Sequence, residues 1–460
     1  EIGFMLPYTP LHRLLLEALE AIVATSSNAK DAPIVKDEAE GLSGLCDAVL
    51  THDRPIAARA DDSVVKIVSG RTLFVRRARG YVPAPQSVPD CLRSDRVLVA
   101  LGGELKATIS LYKNGYVVTS PFLGDLDDYR NFGYFEETLG HLLRVFDAAP
   151  EVVVTDLHPD FRTTRFAERM GLPHVRVQHH FAHVLAPLLE QGHAPRRRVL
   201  GVALDGYGYG EDGTAWGGEF LLADYDGCER FARFEPVPMP GGDLAAREPW
   251  RMALAWLDRA FGDDIPALAA LRRIGRRRAA AVLGMARGGL RSPLTSSCGR
   301  LFDAAAFLCG VAPDRLEFEA EAAMRFEAAA DRAFHGVYPV AVSAPAAGTP
   351  AEISFAPLVR ALVRDIGKGI PVATISARFH DSLAGLILQV AELARRERGT
   401  DEVSLAGGVF LNRRLLERTE KRLAGAGFRV FRPLAYSPND ESLSLGQVAR
   451  GLALVRSGGI

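Results

Sequence analysis

One pattern occurs twice in this chain, and it sets the fold. A run of apolar residues, a glycine-bearing turn and two further alternating stretches start at Val97-Leu-Val-Ala-Leu-Gly-Gly. The same layout starts again at Val199-Leu-Gly-Val-Ala-Leu-Asp-Gly. Apolar residues at every second position predict strands that bury one face, so each copy reads as a β-meander. The second copy runs on into hairpins over residues 213–222 and 230–234. Helical periodicity follows each meander, and the prediction is an α/β protein with two lobes of like topology.

At 460 residues the chain has room for two or three domains with substantial cores. The proline-rich stretch Val82-Pro-Ala-Pro-Gln-Ser-Val-Pro marks a boundary. Residues 1–88 then form an α/β fragment, 89–198 a first lobe, and 199–460 a second lobe with a helical insertion over 248–332. In the fragment, Leu6-Pro-Tyr-Thr-Pro-Leu-His leads into a helix expected to reach Ala21. A strand expected over 21–25 ends in Ser26-Ser27-Asn28, whose hydroxyl, amide and backbone groups suit an anion. The basic run over 272–278 is expected to be a solvated helix end, and 341–350 a surface loop. Because the first residue is Glu1, we expect a piece of a longer polypeptide.

Fifty-five basic residues against 56 acidic ones leave no global charge for wrapping nucleic acid or coating a membrane. No apolar run is long enough to span a bilayer, and the N-terminus does not read as a signal peptide. Cys46, Cys91, Cys228, Cys298 and Cys309 lack C-x-x-C spacing. They are expected to be reduced thiols of a cytoplasmic protein, not a zinc module.

Chemistry concentrates in four stretches. In Val177-Gln-His-His-Phe-Ala-His, His179 and His183 are four residues apart, so on a helix both imidazoles leave one face and can grip one ion. Such a pair alone is more often an ordinary helix face; the glycine-rich turns and acidic residues downstream weigh for a ligand pair. Pro187 is expected to kink or end that helix one turn after His183. Asp205 sits where an apolar strand is expected to give way to a glycine-rich turn beginning at Gly206, a place to hold a carboxylate against phosphate and metal. A strand entering Gly407-Gly408 and then a helix lets backbone N–H groups approach a phosphate or an adenosine moiety. Asn412, one turn into that helix, is expected to face the same cleft. Asp440 stands at a helix N-terminus, where a simple capping role is the alternative to a ligand role.

Taken together these motifs resemble the HypF-type carbamoyltransferases of [NiFe]-hydrogenase maturation. The resemblance rests on Leu6-Pro-Tyr-Thr-Pro-Leu-His, Arg76-Arg-Ala-Arg-Gly-Tyr, Asp156-Leu-His-Pro-Asp and the histidine stretch, and continues through Asp212-Gly-Thr-Ala-Trp-Gly-Gly-Glu, Arg247-Glu-Pro-Trp-Arg-Met-Ala, Gly299-Arg-Leu-Phe-Asp and Ala406-Gly-Gly-Val-Phe-Leu-Asn. It implies a truncated YrdC-like α/β domain followed by a duplicated actin-like (ASKHA) domain of TsaD-like type, with nucleotide between the lobes. It also implies an enzyme that uses carbamoyl phosphate and ATP, with Mg for the ATP, to make carbamoyl-adenylate. The carbamoyl group then passes to the C-terminal cysteine of a HypE-type partner, toward cyanide ligand synthesis. Residue by residue, it makes His179, His183 and Asp440 ligands of a divalent metal, iron or zinc, with Asp205 at the neighbouring acidic position. Gly206, Asp303, Gly407, Gly408 and Asn412 fall on nucleotide-contacting positions, and Ser26 and Asn28 on a Ser-x-Asn element. His180 is a candidate for proton transfer, with packing against the ligands as the alternative.

The sequence departs from that family at several glycines. Ser27 replaces the glycine of Ser-Gly-Asn, and Ala320 replaces a glycine of a ribose-binding turn, where a β-carbon would crowd the nucleotide if φ is positive. Ala406 stands in for a usual serine. Asn439-Asp-Glu-Ser replaces Asn-Asp-Gly-Gly, making Glu441 a further acidic neighbour or a block to the phosphate path. The acylphosphatase-like domain, the zinc modules and the first half of the YrdC-like domain have no counterpart in these 460 residues. Two other readings stay open: an O-carbamoyltransferase acting on a sugar hydroxyl, and a non-catalytic scaffold that docks HypE.

Overall fold

The computed structural model describes residues 2–29, 32–36, 42, 44–194, 197–344 and 348–460. The repeat seen in the sequence becomes two sheets with the same local strand order. In the first, Leu98–Ala100 pairs antiparallel with Ser110–Lys113, which pairs with Tyr116–Thr119. On its other side Leu98–Ala100 runs parallel to Val152–Asp156, and that strand to His174–Val177. In the second, Val199–Tyr209 pairs antiparallel with Ala215–Ala223, which pairs with Cys228–Phe234. Its other side runs parallel to Glu402–Ala406, and that strand to Arg429–Phe431. Each opening strand is therefore an inner strand flanked by one antiparallel and one parallel neighbour. Parallel neighbours require crossovers. Tyr129–Val145 and Arg162–Arg169 supply them in the first lobe, Val372–Arg398 and Arg413–Gly425 in the second.

Helices on the faces explain why Val152–Asp156 and Val199–Asp205 are buried at every residue instead of alternating. The helix His179–Glu190 lies deepest, with every residue from His179 to Leu189 buried. It meets the second sheet on one side and the final helix, Leu443–Arg456, on the other. Two glycines permit this approach. A β-carbon on Gly446 would sit 1.9 Å from the Ala182 carbonyl oxygen, and one on Gly201 would sit 2.3 Å from Val184. The final helix also returns to the first lobe, where Leu445, Val448 and Leu452 share a core with Leu98, Val152 and Val154. Pro187 does not end the central helix, which continues to Glu190. Proline removes one N–H and sets its ring against the carbonyl four residues before it, and burial of every residue from His179 to Leu189 outweighs that local penalty.

The N-terminal unit is less regular than expected. Its helix covers Pro10–Ala18 and stops short of Ala21, and no strand forms over 21–25. Val23 is fully exposed there. Among the described residues that segment pairs with no strand. Beyond that helix the unit carries a hairpin, Val64–Val68 with Arg71–Arg76. Val68 and Leu73 insert into the core of the second lobe, and Ser69 Oγ donates to Glu420 at 2.6 Å. The basic run over 272–278 is a solvated junction between two helices, with only Ile274 buried. In the expected loop over 341–350, Ala341–Val342 pairs with Ala351–Ser354, and 345–347 lie outside the described residues. Among the described residues no helix is long and apolar enough to cross a membrane.

Gly446 sets the spacing of the two helices beside the site. Replacing it with alanine is expected to destabilise the chain by about 1–3 kcal/mol through overpacking, read as a lowered urea midpoint with unchanged slope.

Candidate metal and nucleotide site

His183 sits one turn into the central helix and His179 in its first turn, where the chain leaves the strand His174–Val177. Gln178 caps that turn by accepting the Phe181 N–H at 2.9 Å. His179 Nε2 lies 3.6 Å from Asp205 Oδ2 and 3.8 Å from Asp440 Oδ1. His183 Nε2 lies 3.0 Å and 3.4 Å from the same two oxygens. One ligand atom from each of the four residues falls within 4.8 Å of all the others. His179 Nε2, His183 Nε2 and Asp205 Oδ2 are buried, and none has a partner of hydrogen-bond geometry. Buried polar atoms left unpaired are costly, and here they converge on one point. Two imidazoles and two carboxylates suit zinc or iron, so these residues fit a divalent cation.

Electrostatics point the same way. Burial by itself would keep both imidazoles neutral, but Asp156, Asp205 and Asp440 outweigh it, holding His179 well above and His183 above the ordinary histidine value. Burial would also raise Asp205, yet the facing histidines hold it well below the carboxylate range. A bound cation would take the place of those protons.

Asp205 divides its two oxygens. Oδ1 accepts the N–H groups of Gly206 at 2.7 Å and Gly408 at 3.3 Å, leaving Oδ2 toward the histidines. The expected turn after Asp205 is absent, since the strand continues to Tyr209. Asp440 opens a short 3-10 turn, Asp440–Ser442. The cap of that turn is Asn439, which accepts the Glu441 N–H at 3.0 Å. Asp440 is thereby free to face the cluster.

A cavity of about 1310 Å³ runs from Asp205 and Asp440 past Gly206, Gly408, Asp303 and Asn412. Gly407 lies behind it with φ +98°, and a β-carbon there would stand 2.2 Å from the Leu204 carbonyl oxygen. Asp303 is buried beside Arg300 at 2.9 Å, and burial pushes its carboxyl up to about 6 despite that cation. Asn412 departs from the sequence reading: it is the N-cap of Arg413–Gly425. It accepts the Leu415 N–H, and its amide nitrogen lies 2.9 Å from the buried His380 Nε2. It lines the cavity with a side chain already committed. Ala320 has φ +58°, the left-handed condition under which its β-carbon crowds the site, and it lines the cavity too.

Ser26 and Asn28 are not brought to this cavity. Asn28 instead donates to the carbonyls of Ala29 and Ala32, both at 3.0 Å. His180 is buried beneath Gly208 and Trp216, outside the cavity wall, and burial together with the His179 charge keeps it neutral. Asp156 was quoted in a motif without a role. Its Oδ2 lies 2.8 Å from His179 Nδ1, fixing which ring nitrogen points at the cluster. A second unforeseen pair, Lys106 and Glu319 at 2.5 Å, joins the two lobes across the cavity.

Asp156→Asn is expected to lower metal affinity about 10–100-fold, the usual cost of losing such a partner. Titration calorimetry on the metal-stripped chain measures it.

Comparison with known proteins places this geometry. Residues 201–447 match the family model described as carbamoyltransferase, Kae1-like domain, second subdomain. Residues 93–190 match the HypF Kae1-like domain, and 1–78 the Sua5/YciO/YrdC family, described as telomere recombination. The chain is 38% identical over 464 residues to carbamoyltransferase HypF of Rhizobium leguminosarum bv. viciae, covering 97% of this chain and 58% of that one. For its counterpart in Rhodobacter capsulatus the figures are 41% over 470 residues, 99% and 60%. A shorter carbamoyltransferase HypF homolog of Cupriavidus necator is 37% identical over 362 residues, 76% of this chain and 90% of that one. This chain thus spans about three fifths of the length of the longer relatives. A crystal structure of full-length HypF, in its phosphate- and nucleotide-bound form, superposes with a TM-score of 0.91 at 33% identity, over 98% of this chain and 70% of that one. HypF of T. kodakarensis gives 0.84 at 30%, over 94% and 58%. With a family model over more than half the chain and this fold agreement, the chain belongs to the HypF carbamoyltransferase family.

Proposed function

We propose that this chain performs the transfer half of a HypF reaction, moving a carbamoyl group from carbamoyl-adenylate to the C-terminal cysteine thiol of a HypE-type acceptor. The adenylate would derive from carbamoyl phosphate and ATP, with Mg accompanying the ATP. The observation that carries this reading is the split carboxylate of Asp205. One of its oxygens joins the His179, His183 and Asp440 cluster, and the other holds the Gly206 and Gly408 backbone of the nucleotide cavity. A divalent cation held by those four residues, iron or zinc, would supply Lewis acidity toward phosphate oxygens.

The chain's own groups perform the positioning. Gly408 admits the nucleotide close to the backbone, Gly407 makes the turn behind it, and Asp156 orients His179. Ser26 and Asn28 belong in this reading to the adenylate-forming unit, apart from the transfer cavity. The partner supplies the nucleophile. Burial pushes the thiols of Cys228 and Cys309 up to about 12 and that of Cys298 higher still, so they are protonated near neutral pH. The relatives named HypF, matched over 97% or more of this chain, favour a protein thiol over a sugar hydroxyl. In this reading the protein works in the cytoplasm on small molecules and an acceptor protein, with no part for nucleic acid or membrane.

Elemental analysis and calorimetry with a non-hydrolysable carbamoyl-adenylate mimic test the proposal. Near-stoichiometric iron or zinc is expected, lost in both His183→Ala and Asp440→Ala, with affinity for the mimic falling in each. A chain that holds neither metal nor mimic would be a docking scaffold instead. Ala320→Gly is expected to relieve about 1 kcal/mol of left-handed strain and to tighten the mimic, seen as a raised urea midpoint and a lower Kd.

A further inference from the structure

The two residues beside Asp440 both reach outward to the N-terminal unit. Asn439 donates its side-chain amide to the Val75 carbonyl at 3.1 Å, and Glu441 Oε2 accepts the Arg77 N–H at 2.8 Å. Both side chains are buried, and both partners lie at the end of the hairpin strand Arg71–Arg76. The turn between them is held from two further directions. Thr108 Oγ1 of the first lobe donates to the Glu441 carbonyl at 2.8 Å, and the Gly407 N–H of the second lobe donates to the Pro438 carbonyl at 2.9 Å. One short segment therefore ties three parts of the chain together, and its central residue faces the metal cluster. The hairpin contributes Val64, Lys66, Val75 and Arg76 to the cavity wall. Glu441 stands where glycine is usual in the resembled motif, and a glycine has no side chain to accept the Arg77 N–H.

We propose that Asn439 and Glu441 act as a clip, docking the hairpin onto the turn that carries Asp440, so that seating of the N-terminal unit and cation binding at the four-residue cluster stabilise each other. Glu441 is a positioning residue: it lies outside the four-residue cluster, commits its Oε2 to the Arg77 N–H and acts through the backbone on either side of Asp440. If docking fixes Asp440, linkage requires that an ion held by Asp440 in turn fixes the hairpin, by the same factor. Glu441 thus turns from an obstacle at the phosphate path into a fastener for the cavity wall. The proposal rests on the metal-centre reading above.

The test uses the full chain, stripped of metal, with zinc chloride as the probe. Zinc affinity is read by calorimetry, and opening of the hairpin by amide hydrogen exchange over residues 64–77. Glu441→Gly and Asn439→Ala are expected to speed hairpin exchange and weaken zinc binding, each about 10-fold, inside the roughly 5–150-fold range of coupled sites. Glu441→Gln keeps an acceptor oxygen and is expected to stay within about 2-fold of the wild type on both readouts. Zinc is expected to slow hairpin exchange in the wild type and not in His183→Ala. If Glu441→Gly does not fold, Asn439→Ala reads the same coupling with Glu441 intact. Unchanged zinc affinity beside faster exchange overturns the coupling while leaving the metal centre standing, and unchanged exchange overturns the clip. Failure of the wild type to take up zinc overturns the metal centre and the coupling together.

Discussion

The site depends on one carboxylate doing two things at once. Asp205 projects from a fully buried run of strand, and its two oxygens face different neighbours. Backbone N–H groups of Gly206 and Gly408 hold the first, and the two histidines face the second. Because both sets of partners lie in a low-dielectric interior, neither interaction is screened as it would be in water. A shift of Asp205 would therefore disturb the histidine–carboxylate cluster and the Gly206 and Gly408 backbone together. This shared residue makes one site out of a strand, one glycine turn and a helix terminus.

That arrangement requires the central helix to sit unusually close to its neighbours. Gly201 and Gly446 remove the β-carbons that would otherwise meet Val184 and Ala182. Asp156, at the end of a buried strand of the first lobe, reaches His179 from behind. Asp205 and the turn bearing Asp440 close on it from the front. The four cluster residues thus come from three separate elements whose spacing is set by backbone packing. Long flexible side chains play little part, which is how a preorganised centre is held.

The cavity is bounded as much by cross-connections as by either lobe. Lys106 and Glu319 span it between lobes, the hairpin of the N-terminal unit supplies part of its wall, and the final helix binds the first sheet back to the second. Asn412 illustrates the same economy. It caps a helix, touches a buried histidine and still lines the cavity. The N-terminal unit is the exception: its described residues form one helix and one hairpin and leave many apolar side chains exposed.

The sequence alone determined the duplicated α/β plan, because alternation and glycine placement are local properties that recur wherever the pattern recurs. It also singled out His179 and His183 through helical spacing and Asp440 through a family motif, and the structure brings the three together with Asp205. It could not assign Asp156 its role, since a carboxylate 23 residues from its histidine is joined to it only by the parallel register of two strands. It misjudged the helix through Pro187, because the loss of one hydrogen bond is a local penalty and the surrounding burial is not. It placed a strand over 21–25, which needs a neighbouring edge that no propensity can provide. Glu441 is the clearest case. From sequence it was an extra acid or an obstruction, and only the tertiary structure, by bringing the Arg77 N–H to its carboxylate, made it a fastener. Local chemistry is written in residue order, whereas which groups end up within 3 Å of each other is decided by packing.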